Sequence, residues 1–283
     1  MGQERLTSFD GLSLPVHRTG TGPPLIVVPG WLATPADWQP VIQRLAAQYT
    51  CYIWEARPWH HDHPTMAAMA DDLRALVAAL APERPSVLGQ SMGALTCWEY
   101  VRRHGCSDVT TFCLVDQSPR MVTDDDWTLG LEGGFPPESN RALIDWMWRD
   151  FPAAAMDVIS RGRRVAPGSG AARLEAMFRE TRRRRLEALE PAPWIRAWES
   201  FSREDYRSVL PQVTVPTLLI YGAASFYGME VARYVHRHTP DSRLRIHALA
   251  GHSPHQDDLP GVVEDIRRFT AARQARANCS AFP

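Results

Sequence analysis

The sequence predicts an α/β fold in which a mostly parallel sheet is covered by helices on both faces. Three observations support this prediction. Short apolar runs alternate with helical patterns up to about residue 117, and the same alternation returns after residue 210. Between them, residues 118–210 hold helical patterns without a strand-like run. Continuous apolar runs are typical of strands covered on both faces, and alternation with amphipathic helices favours parallel pairing.

The elements before residue 117 follow this pattern in order. Residues 5–18 predict a hairpin, because Asp10-Gly11 is a turn pair typical of hairpins. The apolar runs 24–28 and 51–54 predict buried strands, and each is followed by a segment with apolar residues at helical spacing. A further strand over 111–115 ends at Asp116. After the helical region, strands are predicted over 215–222 and 244–249, followed by a last helix.

Composition excludes several classes of protein. The chain has 283 residues, of which 45% are apolar and 22% charged, as in ordinary globular domains. Its formal net charge of -1 gives no reason to expect a nucleic acid or an anionic membrane as a partner. No apolar run reaches the roughly 18 residues that span a bilayer, and the N-terminus lacks the plan of a signal peptide. The 5 cysteines have no CxxC spacing, so we expect reduced thiols and a cytoplasmic protein.

The most informative stretch is Gly89-Gln90-Ser91-Met92-Gly93, which joins a predicted strand directly to a predicted helix. It fits the G-x-S-x-G pattern, in which the sharp turn exposes a serine hydroxyl at the N-terminus of a helix. Glycine is needed two residues before and after the serine because side chains there would collide. Ser91 is therefore a candidate nucleophile, although glycine-rich turns between strand and helix are also common.

Four segments in this order resemble the α/β-hydrolase superfamily: Pro29-Gly30-Trp31, the serine turn, Asp116-Gln117-Ser118-Pro119 and Gly251-His252-Ser253-Pro254. Within it, the chain is similar to capped esterases and cofactor-free haloperoxidases. The resemblance covers residues 5–270 and is weak over 118–210. It implies an α/β-hydrolase core formed by residues 1–117 and 211–283, with residues 118–210 as an inserted helical cap.

The resemblance also implies roles for individual residues. His252, on the loop after the last predicted strand, matches the family's catalytic base, with His255 as the competitor. The backbone N–H groups of Trp31 and Met92 would form the oxyanion hole.

The catalytic acid is less clear from the sequence. Ser225 stands where the family usually has an aspartate, and a serine cannot supply the required charge. Asp116 is the best replacement, although an aspartate at a strand end can equally well bond the N–H groups of the following turn. Three other carboxylates remain candidates: Glu230, Asp257 and Asp258.

Three other features have competing interpretations. The tryptophans of the predicted cap could bind an apolar or aromatic substrate or could only pack; those considered for binding are Trp146, Trp148, Trp194 and Trp198. No metal site is expected from residues 60–63, because adjacent ligands on one short loop cannot converge on one ion. The arginine run 182–185 is expected to be a solvated helix face.

Together these features predict a serine hydrolase that acts on a carboxylic ester, thioester or lactone with an apolar portion. No metal and no organic cofactor are expected, because the sequence has no dinucleotide or phosphate-binding motif. Two alternatives remain open. The same fold could perform non-hydrolytic chemistry with His252 as the base, as in a lyase, cyclase or cofactor-free oxygenase. It could also serve as a non-catalytic ligand receptor. The substrate's identity and the oligomeric state are not predicted.

Overall fold

The computed structural model describes residues 2–81, 83–162 and 170–280, without the side chains of 170–177 and 271–280. Its centre is an eight-stranded sheet in the order β1-β2-β4-β3-β5-β6-β7-β8. Only the pairs β1–β2 and β2–β4 are antiparallel, so the predicted mostly parallel sheet is confirmed. The strands are β1 Gly2–Thr7, β2 Ser13–Thr19, β3 Pro24–Val28, β4 Thr50–Trp54, β5 Ser86–Gln90, β6 Thr111–Val115, β7 Thr217–Gly222 and β8 Ser242–His247.

Helices cover both faces of the sheet, as the apolar strand sequences predict. The flanking helices are α1 Pro35–Leu45, α2 Met66–Ala79, α3 Met92–His104, α8 Met229–His238, α9 Pro254–Asp257 and α10 Leu259–Ser280. In β3, Ile26 belongs to the apolar core on one face, whereas Leu25 and Val27 belong to the core on the other. Successive side chains of a strand point to opposite faces, so a strand covered on both sides has to be apolar throughout.

The chain between β6 and β7 forms an insertion of four further helices. They are α4 Pro137–Arg149, α5 Phe151–Gly162, α6 Gly170–Glu187 and α7 Pro191–Phe201. No named strand lies among the described residues of this segment. The predicted domain limits at residues 118 and 210 remain a prediction. The sequence also predicts a loop around residues 167–170, and residues 167–169 lie outside the described residues.

A buried arginine connects the N-terminal hairpin to the rest of the fold through ion pairs. Arg57, which is 1% exposed, donates from Nε to Asp72 Oδ2 at 2.8 Å and from Nη1 to Asp10 Oδ2 at 2.6 Å. Ser8 Oγ donates to Asp72 Oδ1 at 2.5 Å. The bond from Arg57 lowers the pKa of Asp10 to about 2, because it favours the charged carboxylate. One guanidinium therefore joins the hairpin turn to α2.

No helix in the described ranges combines the length and the apolar character needed to cross a membrane. The four cysteines whose side chains are described, Cys51, Cys97, Cys106 and Cys113, are free thiols and are buried.

Candidate active site

Ser91 lies at the sharp turn between β5 and α3, as the sequence predicts. Its φ of 54° is in the left-handed region, and α3 begins at the next residue. A Cβ on Gly93 would come within 2.1 Å of Val28 O, and one on Gly89 within 2.5 Å of Gly93 O. Any side chain at either position would therefore collide with backbone, which explains why both residues are glycine.

His252 lies on the loop after β8 and is hydrogen-bonded to Asp116. The distance from His252 Nδ1 to Asp116 Oδ1 is 2.9 Å. Because a carboxylate can only accept, Nδ1 carries the hydrogen and Nε2 is left as the nitrogen that can accept a proton. The imidazole packs against the ring of Phe226, with a centroid distance of 4.3 Å, and its side chain is 15% exposed.

The main chain of His252 is held by the helical insertion. Its N–H donates to the carbonyl oxygen of Gly162, the last residue of α5, at 2.9 Å. A Cβ on Gly162 would lie 2.8 Å from the Phe226 ring and 3.1 Å from His252 Cβ. The insertion and the loop that carries His252 are therefore in direct contact, and there is no room for a side chain between them.

Asp116 is fully buried at the end of β6, with a φ of 48°. Besides His252, two donors reach its carboxylate: Ser225 Oγ at 2.5 Å from Oδ1, and Gly222 N at 2.8 Å from Oδ2. Ser225 Oγ in turn accepts from Tyr227 N at 3.1 Å. Ser225, at the place where the family usually has its acid, therefore hydrogen-bonds to the carboxylate on the neighbouring strand. Sequence reasoning misses this contact, although parallel strands such as β6 and β7 end at one edge of the sheet.

The other candidates for acid and base are bonded elsewhere. Asp257 Oδ2 accepts from Gly251 N at 2.9 Å, Asp258 Oδ2 lies 2.7 Å from His247 Nδ1, and Glu230 pairs with Arg233. His255 stacks on Trp38 at a centroid distance of 4.0 Å. Of the carboxylates considered, Asp116 alone contacts the His252 ring within the described residues.

Ser91 and His252 line one cavity of about 170 Å³, together with Trp31 and Met92. Its other walls are mainly apolar and include Met121, Leu131, Val158, Ile159, Leu186 and Phe226. Most of these side chains belong to the insertion, which closes the cavity over the carboxyl ends of the central strands. A concave, largely apolar space with polar groups among its walls is typical of small-molecule sites.

Met92 and Trp31, the two residues predicted to form the oxyanion hole, both line this cavity. Met92 is the first residue of α3, so its N–H has no partner within the helix. Neither N–H takes part in a turn or loop hydrogen bond of the described chain. The Trp31 side chain is fixed by its indole N–H, which donates to Trp194 O at 3.0 Å.

Only one of the four tryptophans considered for substrate binding lines this cavity. Trp198 does so, with its ring 5.1 Å from that of Trp31. Trp194 is buried behind Trp31. Trp146 lines a separate surface groove, and Trp148 is 48% exposed. Trp146 and Trp148 therefore lie outside the cavity that Ser91 and His252 line. Both neighbour Met147, which is on the buried face of α4, and successive helical side chains lie about 100° apart.

The arginine run is only partly a solvated face. Arg183 and Arg184 pair along the helix surface with Glu187 and Glu180, at 2.8 and 2.9 Å. Arg182 and Arg185, which are three residues apart and therefore share a helix face, line the cavity. Arg185 Nη2 donates to Leu32 O at 2.8 Å. The helical spacing in the sequence is sufficient to place Arg182 and Arg185 together on one face of the helix, apart from the two arginines between them.

In the part of the chain that is described, no group of three or more His, Cys, Asp or Glu side chains is arranged to hold an ion. In the histidine-rich loop, His60 Nε2 lies 2.9 Å from Glu55 Oε2.

Comparison with known families decides the classification. The model of the alpha/beta hydrolase family matches residues 25–265. The chain belongs to this family. As an α/β-hydrolase, it is an enzyme with the fold that the sequence predicts, and its sheet order and its turn at Ser91 fit this assignment.

Individual relatives agree with this assignment. The pimeloyl-[acyl-carrier protein] methyl ester esterase of Aromatoleum aromaticum is 29% identical over 264 residues, which cover 87% of this chain and 98% of the relative. The enzyme of the same name from Vibrio atlanticus is 23% identical over 256 residues, covering 89% and 96%. Among solved structures, an esterase from Exiguobacterium antarcticum superposes with a TM-score of 0.82 at 21% identity, covering 95% of this chain and 99% of that one. A bromoperoxidase from Bacillus anthracis has a TM-score of 0.81 at 18% identity, covering 95% and 100%.

Proposed function

We propose that this α/β-hydrolase cleaves a carboxylic ester, thioester or lactone with an apolar portion, through a triad of Ser91, His252 and Asp116. The observation that carries the proposal is the 2.9 Å hydrogen bond from His252 Nδ1 to a fully buried Asp116, beside a cavity that contains Ser91. A histidine held in this tautomer by a carboxylate is what a serine nucleophile requires.

In the proposed reaction, His252 Nε2 takes the proton of Ser91 Oγ as the oxygen attacks the carbonyl carbon of the substrate. Serine–histidine hydrogen bonds are often long without substrate and tighten when it binds. The backbone N–H groups of Met92 and Trp31 stabilise the resulting oxyanion. His252 then donates its proton to the leaving alcohol or thiol, and Asp116 stabilises the imidazolium formed in between.

The second half of the reaction repeats these steps with water. His252 Nε2 removes a proton from water, the hydroxide attacks the acyl-enzyme, and Ser91 is released with its proton restored. Asp116 keeps its charge throughout, since its task is to orient the imidazole and to stabilise its positive form.

The cavity and the relatives both support the proposed substrate class. Apolar walls from the insertion, which acts as the cap, fit an apolar acyl or alcohol portion, and Arg182 and Arg185 of the same insertion add two cations to the lining. The curated relatives are named as methyl ester esterases. A methyl ester leaves a small alcohol and places the rest of the substrate on the acyl side. The bond between His252 and the buried Asp116 supports a catalytic role over a receptor, because binding alone does not require a histidine held by a carboxylate. The esterase names of the curated relatives favour hydrolysis over non-hydrolytic chemistry.

The nucleophile can be tested with Ser91→Ala and an activated ester. We expect the variant to lose a factor of about 10⁴–10⁶ in kcat for p-nitrophenyl butyrate. A fluorophosphonate probe should modify the wild type at Ser91, as identified by mass spectrometry. Ser107→Ala, at an exposed serine remote from the cavity, is the control and should retain activity and labelling. If Ser91→Ala keeps wild-type turnover, the proposed reaction is wrong.

A further inference from the structure

Two buried polar side chains of the cavity have no role in the triad. Gln117 and Tyr227, each 2% exposed, line the same cavity as Ser91 and His252. The Tyr227 ring lies 5.7 Å from the His252 ring, measured between centroids. Buried polar groups are normally paired, so the hydrogen-bonding capacity of these two side chains can be followed atom by atom.

The orientation of the Gln117 amide is fixed by its neighbours. Gln117 Nε2 lies 3.0 Å from Ser118 O, and a carbonyl oxygen can only accept, so the nitrogen has to be on this side. The same nitrogen lies 2.9 Å from Tyr227 Oη. Both hydrogens of the amide are therefore used, and Tyr227 Oη is an acceptor in this pair.

This leaves one donor and one acceptor without a partner among the described residues. Tyr227 has a single hydroxyl hydrogen, and no acceptor in the described chain receives it. Gln117 Oε1 likewise receives no hydrogen bond there. Burial raises the pKa of Tyr227 far above the physiological range, so the hydroxyl keeps its hydrogen. The donor and the acceptor belong to side chains that are hydrogen-bonded to each other, so one small group could meet both.

A neighbouring tyrosine shows the opposite arrangement. Tyr221, which is 2% exposed, donates its hydroxyl hydrogen to the backbone oxygen of Gln117 at 2.6 Å. Its hydrogen bond is therefore internal to the protein, and Tyr221 does not line the cavity. The two tyrosines differ in whether their hydrogen is free for a ligand.

We propose that Tyr227 and Gln117 form a polar subsite that binds a hydroxyl or amide group of the substrate other than the group that is cleaved. Tyr227 Oη donates to the oxygen of this group, and Gln117 Oε1 accepts its O–H or N–H hydrogen. A carboxylate cannot satisfy both, because it has no hydrogen to donate, and a hydrocarbon satisfies neither. A site with buried polar groups rejects a substrate that leaves them unpaired, so the subsite determines specificity.

The kinetic test of this subsite rests on the proposed hydrolysis, whereas the binding test given below does not. That test uses methyl esters in matched pairs: methyl 3-hydroxybutyrate with methyl butyrate, and methyl 4-hydroxyphenylacetate with methyl phenylacetate. The quantity compared is the ratio of kcat/KM within each pair. We expect the wild type to favour a hydroxylated member by about 10²-fold, and Tyr227→Phe to lower that ratio by about 10-fold or more.

Tyr221→Phe is the matched control, because it also removes one buried hydroxyl near Gln117 but should leave the ratio unchanged. Gln117→Met removes the acceptor at similar length and should lower the ratio as Tyr227→Phe does, which covers the case in which one variant does not fold. Thermal unfolding of each variant reports folding independently of the ratio.

Binding measurements test the subsite independently of the reaction. In a Ser91→Ala background, the dissociation constants of the same esters should show the same preference and the same loss with Tyr227→Phe. If the wild type does not hydrolyse p-nitrophenyl butyrate, the proposed function fails while this binding ratio still tests the subsite. The subsite is refuted if neither hydroxylated ester is preferred, or if Tyr227→Phe and Tyr221→Phe change the ratio equally.

Discussion

Asp116→Asn is the most informative test of the proposed triad, because the structure predicts how the amide will be oriented. The carboxylate accepts from Gly222 N at Oδ2, and from both His252 Nδ1 and Ser225 Oγ at Oδ1. The backbone N–H of Gly222 cannot turn away, so the amide oxygen of an asparagine has to face it. The NH₂ group then takes the place of Oδ1, opposite His252 and Ser225.

At that place the two neighbours respond differently. Ser225 Oγ can accept from the new NH₂ group, because a hydroxyl is both donor and acceptor. His252 has to present an unprotonated Nδ1, so its hydrogen moves to Nε2, and that nitrogen can no longer take the proton of Ser91. The wrong tautomer lowers kcat by about 10⁴, equivalent to roughly 5.5 kcal/mol of transition-state stabilisation. KM should change little, because Asp116 does not line the cavity.

The assay compares initial rates on p-nitrophenyl butyrate for three variants. Ser225→Ala keeps the charge and the bond to His252 and loses one hydrogen bond from a neutral hydroxyl to the carboxylate, so its kcat should fall by about 10-fold. Asp116→Asn combined with Ser225→Asp returns a carboxylate to the family's usual place and should recover part of the loss. If Asp116→Asn stays within about 10-fold of wild type, the tautomer argument is refuted, and Glu230, Asp257 and Asp258 are the next candidates.

Two further predictions concern the cavity and the hairpin. Trp198→Ala should change kcat/KM unequally for short and long acyl esters, by about 1–3 kcal/mol. Trp148→Ala, at an exposed position outside the cavity, is the control and should leave the chain-length profile unchanged. Equal profiles for both variants would mean that Trp198 only packs. Arg57→Met leaves the buried Asp72 without its arginine partner and should lower the free energy of unfolding, measured in urea, by about 3–5 kcal/mol. Arg183→Met, in an exposed ion pair, is the control and should lower it by less than about 1 kcal/mol. A similarly small loss for Arg57→Met would contradict the role given to the buried pair.

The parts of this protein that the sequence predicts are those governed by local patterns. Strands such as β3 are apolar throughout, and the turn at Ser91 has glycines at the two positions that its geometry requires. Asp116 is a candidate because it ends a strand next to the one that carries Ser91. These signals all lie within a few consecutive residues, where sterics and burial determine which residue types are allowed.

The parts that the sequence does not predict depend on contacts between distant segments. The bond from Ser225 to Asp116 joins residues 109 positions apart, and the one from Gln117 to Tyr227 joins residues 110 apart. Likewise, a tryptophan on an inserted helix lines the cavity only if its face is the one turned inward, which separates Trp198 from Trp148. Helical spacing shows which side of α4 is buried, but not which buried side chains of the insertion reach the cavity.

Because His252 N donates to Gly162 O, the proposed base is held by two separate parts of the chain. Its side chain is held by Asp116 on the sheet, and its backbone is held by the end of α5. A movement that lifts this end of α5 without the His252 loop breaks the second bond, and the backbone of His252 then keeps the bond that its carbonyl oxygen accepts from Gln90 Nε2 at 3.3 Å. Opening along that route would remove one of the contacts that position the base, so access for a bulky molecule and positioning of the imidazole are coupled through this bond.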